Sequence, residues 1–220
     1  MGETGQSRRL DRIIEYAEAQ HARAASEETW HPVFTADYRW EHTLRVAHYG
    51  KLIAAQEKLD PEICVAACLL HDIAYFFCDD EQDWRDHGRV GARIARPVLG
   101  DAGYSETEVG VISHAIAIHV DGEPDIEHPH TPVADVVSDA DNIDRFSAYR
   151  VVLWCMTERD DFQKMIAMIR ERLERLQTYR ERNPLGTKAG RELFARQVDL
   201  QIGFFEAIIR DAEITRRPKL

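Results

Sequence analysis

Apolar residues recur along this chain at the three-and-four spacing of a helix, and no long stretch alternates apolar and polar at the period of a strand. The pattern predicts an amphipathic helix over 7–25 with Leu10, Ile13, Ile14 and Ala17 inward. A second is expected over 37–57, with Asp37 as its N-cap. Asp60 followed by Pro61 marks the start of a third, running to about Phe77. Its body, ICVAACLLHDIAYFF, is apolar nearly all round and so belongs at the centre of the molecule. Beyond an acidic loop at Asp79–Asp83, a fourth helix is expected near 84–99, ended or kinked by Pro97. Ser105 and Glu108 form a capping box for a fifth over 106–119. After a Pro-, Asp-, Glu- and His-rich loop at 120–131, a sixth runs from about 133 to 156. Two long helices follow, 158–181 and 187–212, separated by Asn183-Pro184-Leu185-Gly186, with Thr187 capping the second. The expectation is an all-α, single-domain helical bundle. In it, 1–36 form a helix and connecting loop, 37–157 the core, and 158–220 a C-terminal extension that buttresses it.

Each residue of a helix lies 100° from the last, which sorts the polar residues by face. His42 falls in the stripe of Val46, Tyr49 and Ile53, whereas His48 lies off it. His71 continues the stripe of Cys64, Ala67 and Cys68, and Asp72 follows it on a helix with no solvent face. His87 shares a face with Val90, Gly91, Ile94 and Val98, opposite Arg89, Arg93 and Arg96. His119 sides with Ile112, Ala115 and Ile116, while His114 lies about 160° from Ile112 and faces solvent. Asp141 aligns with Ala134, Val137, Ala148 and Val152, and Asp139 points nearly the opposite way. Of ten histidines, four therefore turn inward together with two aspartates. His21, His31, His48 and His114 are expected at the surface, and His128 and His130 in a solvated loop. Desolvating an isolated carboxylate costs several kcal/mol. Six inward polar groups thus need a common partner, and a divalent cation, or a pair, suits neutral imidazole and carboxylate oxygen.

Charge narrows the partners. Against 28 Lys and Arg stand 39 Asp and Glu, for a formal net charge of −11, which argues against a nucleic-acid surface. No run approaches 18 apolar residues and no apolar leader opens the chain, so neither a membrane span nor a signal peptide is expected. Four cysteines without a C-x-x-C pair fit free thiols in a cytoplasmic protein, with Cys64 and Cys68 as small buried hydrophobes. The basic tail Arg216–Lys219 is expected to fray.

The words EHTLRVAHYG, AACLLHDIAYF, DHGRVGARIARPVL, VISHAIAIHV and VVSDADNIDRF occur in this order across roughly 37–157. In them the chain resembles the HD-domain metal-dependent phosphohydrolase superfamily, an all-helical one. The resemblance implies metal ligands at His42, His71, Asp72 and Asp141. In two-metal branches it adds His87 and His119, with Asp72 as the bridging carboxylate. It implies one or two divalent transition-metal ions (Fe, Mn, Co, Ni or Zn, with Mg admissible at one site). A metal-activated hydroxide would attack the phosphoester of a small phosphorylated substrate, such as a nucleotide. Arg45, one turn beyond His42, offers itself to a phosphate oxygen or to an ion pair. Arg145, one turn beyond Asp141, offers itself to a phosphate or to an internal acid such as Asp144. Two alternatives stay open: a di-iron oxygenase of the same fold, and a non-catalytic nucleotide- or metal-binding sensor module.

Overall fold

The structure, a computed structural model, describes residues 3–25, 35–77, 85–120, 130–157 and 160–215. Helix α1 spans Glu3–Ala25, α2 Ala36–Glu57 and α3 Pro61–Leu70, and a 3-10 turn follows at Ile73–Phe76. Then come α4 at His87–Ala102, α5 at Glu106–Ala117, α6 at Pro132–Arg145, α7 at Ala148–Met156, α8 at Phe162–Glu181 and α9 at Lys188–Thr215. Among the described residues every regular element is helical, as the periodicity predicts. The acidic loop, His31, His128 and the basic tail lie outside the described residues.

Helix α3 is the axis of the molecule. Asp60 caps it by accepting from the Glu62 amide, Pro61 opens it, and every residue from Glu62 to Leu70 is buried. With no polar stripe to face water, it must be surrounded, and α1, α2, α5 and α6 all pack on it. The approach of α2 is set by Gly50, where a Cβ would stand 2.5 Å from the Cys68 Sγ. Cys64 and Cys68 are buried and free. Burial pushes the Cys64 thiol up to about 12, so both behave as small hydrophobes. The buried Glu62 is paired by Arg9 of α1, which donates to it at 3.0 Å and also to Glu108 of the α5 capping box at 3.1 Å.

Four local expectations are corrected. The central helix ends at Leu70, because Asp72 leaves helical geometry (φ −100°, ψ 12°) and a 3-10 turn follows. The sixth helix is two: Phe146 terminates α6, and the Ser147 side chain caps α7 by accepting from the Arg150 amide. That break resets the helix phase, so Val151 is buried and Val152 is 59% exposed. Of the two expectations at Pro97, an end is excluded, since the exposed proline sits inside α4 and the helix runs on to Ala102. The left-handed Gly103 (φ 99°) ends the helix instead. Thr35, not Asp37, caps α2.

His21, expected at the surface, is buried. Its Nδ1–H donates to the Ala17 carbonyl at 2.7 Å, and its ring meets Phe76 edge-on. The α1–α2 packing covers it, and burial lowers its pKa. His48 is exposed, and His130 is half exposed and pairs with Asp135 at 2.7 Å.

Helices α8 and α9 pack on each other, and α9 reaches α2, α6 and α7. One side chain anchors that arrangement. Asp139 of α6 is buried and accepts from the Gly186 amide (2.9 Å), the Thr187 amide (2.8 Å) and the Thr187 hydroxyl (2.6 Å). Thr187 in turn accepts from the Gly190 amide at 2.9 Å, capping α9. Gly190 is required there, since a Cβ would collide with the Asp139 carboxylate. Asp139→Ala should therefore destabilise the protein by about 2–4 kcal/mol, the cost of stranding buried donors. Urea unfolding measures this, and bound metal per folded chain should stay unchanged.

Candidate metal centre

Five chain segments deliver six side chains to one place. α2 supplies His42. The turn after α3 supplies His71 and Asp72. His87 is the first residue of α4, His119 follows the end of α5, and Asp141 lies in α6. His42, His71, His87 and His119 are all buried, and the side chains of Asp72 and Asp141 are only 11% and 13% exposed.

Asp72 is the hub. Its Oδ2 lies 3.6 Å from His42 Nε2 and 3.4 Å from His71 Nε2. Its Oδ1 lies 3.4 Å from His87 Nε2 and 3.6 Å from His119 Nε2. Each carboxylate oxygen therefore faces its own pair of imidazoles. Asp141 Oδ1 joins the first pair, 3.4 Å from His42 Nε2. The ligand atoms of His42, His71 and Asp141, and those of His71, Asp72 and His119, lie within 4.8 Å of one another.

The backs of the rings show what the fronts need. His42 Nδ1–H donates to Asp144 Oδ2, His71 Nδ1–H to the Cys68 carbonyl, and His119 Nδ1–H to the Ile116 carbonyl, all at 2.7 Å. With Nδ1 carrying the proton, each neutral ring presents an Nε2 lone pair to the centre. Those lone pairs meet carboxylate oxygens and each other, His42 Nε2 and His71 Nε2 being 3.3 Å apart. Acceptors facing acceptors repel unless a proton or a cation stands between them. Without a metal, His42 takes the proton. Burial opposes its charge, but its bonds to Asp144 and Asp72 and the nearby Asp141 hold it at about 9. Burial pushes His71 down to about 4, where it remains the acceptor. Asp72 stays well below the usual carboxylate range despite its burial, because His71, His119, His42 and His87 favour its charge. A convergent set of fixed imidazole nitrogens and two carboxylates is a donor set for divalent transition metals.

The arginines divide by role. Arg45 is drawn away from the cavity: its Nε donates to Asp144 Oδ1 at 2.5 Å and its guanidinium lies over Tyr149. Arg145 stands at the mouth, 55% exposed, with Asp141 Oδ2 as a distant partner at 3.8 Å. Asp144 does not serve Arg145; it is fully buried under His42 and Arg45, which hold its pKa down against the effect of burial.

Three participants escaped the sequence reading. Arg39 donates to Asp72 Oδ2 at 3.0 Å and lies over the Tyr75 ring. Tyr75 stacks on His87, its hydroxyl 3.3 Å from Nε2. Arg150 bonds the Tyr38 hydroxyl and lines the cavity. Arg39 had a readable signal, since it lies one turn before His42 on a neighbouring face. Arg150 had none, because it lies beyond the break between α6 and α7. The cavity measures about 300 Å³ and is lined by His42, Asp72, Tyr75, His87, His119 and Asp141 with Arg39, Arg145, Arg150 and Val120, while His71 lies fully buried behind it. His114 and Asp139 lie outside it.

A family model described as HD domain matches residues 39–145. The chain is 30% identical to ribonuclease Y of Sulfurovum sp. (strain NBC37-1) over 179 residues, which is 81% of this chain but only 31% of that enzyme. Among solved structures, it is similar to a predicted HD superfamily hydrolase from an uncultured Thermotogales bacterium (TM-score 0.62, 21% identity, covering 90% and 91% of the two chains). It is also similar to Bacillus subtilis YpgQ in complex with ADP (TM-score 0.57, 19% identity, covering 89% and 97%).

Two comparisons test the geometry by metal analysis of purified variants. His119→Ala should lower bound metal far more than His114→Ala. Asp144→Asn, which leaves all six central side chains in place, should weaken metal affinity by about 10–100-fold, as loss of a ligand's outer partner does.

Proposed function

This chain belongs to the HD-domain superfamily across residues 39–145, and on that footing we propose that it is a divalent-metal-dependent phosphohydrolase. Its substrate would be a small phosphoester, with a nucleotide as the first class to test. The observation that carries the reading is the Asp72 carboxylate set between two pairs of imidazoles, beside an arginine-lined cavity.

His42, His71, Asp141 and Asp72 Oδ2 would hold one ion, and His87, His119 and Asp72 Oδ1 a second. A divalent ion bound there supplies hydroxide at neutral pH and neutralises charge on phosphoryl oxygens. The chain's own residues do the rest. The three Nδ1–H bonds, the one from His42 to Asp144 among them, fix the rings so that their lone pairs need not reorganise. Arg39 holds Asp72 from one side while lying over Tyr75, which in turn stacks on His87. Arg145 would bind a phosphate oxygen, a role its distant described acid leaves open to it. Arg150 lines the same cavity as a second phosphate contact.

The cavity of about 300 Å³ suits a compact ligand, and a net charge of −11 disfavours an extended polyanion. The ADP in YpgQ supports trying nucleotides first. The length shared with ribonuclease Y supports phosphodiesters as the second class.

The test is release of phosphate or nucleoside from a panel of nucleotides and generic phosphoesters, using protein loaded with Mn, Co, Ni, Fe or Zn. Turnover should appear with at least one metal, vanish with chelator and be abolished in Asp72→Ala. Arg145→Ala should raise KM by about tenfold or more. Oxygen consumption without phosphate release would assign the site to oxygenase chemistry. Tight nucleotide binding without turnover under any metal would make it a sensor.

A further inference from the structure

Arg89, Arg93 and Arg96 lie at i, i+4 and i+7 of α4, on the face turned away from His87. Like charges at this spacing repel along a helix, and here they concentrate in a protein of net charge −11. Arg89 pairs with Asp86 at 3.3 Å. Arg93 and Arg96 are exposed and make no hydrogen bond or ion pair among the described residues.

These arginines form one wall of a cavity of about 410 Å³ between α4 and α5. The other wall carries Ser113 and His114, and small residues at Ala92, Gly110 and Ala117 keep it concave. A Cβ on Gly110 would meet nothing within 4 Å. One group in that wall is unsatisfied: Ser113 is 4% exposed, and its Oγ is buried with no hydrogen-bond partner among the described residues. A buried hydroxyl without a partner is costly unless a ligand supplies one. No residue of this cavity lines the metal centre.

We propose that the groove between α4 and α5 is a second, metal-independent binding site that takes a small molecule bearing phosphate groups. Arg93 and Arg96 supply forked donors matched to phosphate oxygens, and the Ser113 hydroxyl donates from the floor. His114, turned away from the metal centre, borders the same groove. The site does not depend on the hydrolase reading, since none of its residues lines the metal-centre cavity.

The experiment is calorimetric titration of pyrophosphate into chelator-treated, metal-free protein in 150 mM salt, roughly physiological ionic strength, so that diffuse attraction is screened. The expected result is one saturable site per chain. Arg93→Ala/Arg96→Ala should weaken it by about tenfold or more, and Ser113→Ala less, whereas Arg39→Ala should leave it unchanged. Both arginines are exposed, so the double variant should keep the wild-type melting temperature in the absence of pyrophosphate. Absence of saturable binding to the wild type would overturn the proposal. So would binding that survives in the double variant or is lost in Arg39→Ala.

Discussion

A carboxylate buried among four imidazoles is the constraint on which this structure depends. Asp72 stands at the end of the most apolar helix of the molecule, where an unpaired charge would cost several kcal/mol. Its two oxygens are divided between His42 and His71 on one side and His87 and His119 on the other. None of these four rings is a neighbour of the others in sequence. The site therefore forms only when α2, α3, α4 and α5 are packed, and the packing tolerates Asp72 only because the site forms. Arg39 adds one fixed cation, and the remaining compensation must come from protons or metal.

Much of the fold serves to hold this cluster still. The end of α3 at Leu70 lets His71 and Asp72 occupy a turn, where consecutive side chains can both reach the centre. Gly50 lets α2 approach the Cys68 side chain closely, which sets His42 against His71. Behind the rings, Asp144 and two backbone carbonyls orient the nitrogens. Further out, Asp139 binds the start of α9 to α6, the helix that also carries Asp141 and Asp144. Two aspartates two residues apart thus face opposite ways, one toward the centre and one toward the extension.

Helix phase in the sequence separates His119 from His114 and Asp141 from Asp139, because regular helix carries a side chain's direction forward with little error. Phase fails where helices break. The expected direction of Val152 was lost at Phe146–Ser147, although Ser147 is a recognisable cap. The burial of His21 depends on Trp40 and Phe76, contacts that follow from tertiary packing and have no local signature. Arg45 and Arg145 look equivalent in sequence, each one turn beyond an inward ligand type. What divides them is Asp144, which lies within reach of Arg45 and turns it away from the cavity. The roles of Arg39, Tyr75 and Arg150 rest on such cross-helix contacts, which no spacing encodes.

On the proposed reading, the two oxygens of Asp72 serve two separate metal positions. Anomalous diffraction from crystals of the manganese-loaded protein tests it directly. Two peaks flanking Asp72 are expected, one among His42, His71 and Asp141 and the other against His87 and His119. A single peak with His87 and His119 turned away from it, or no peak among these six side chains, would contradict it.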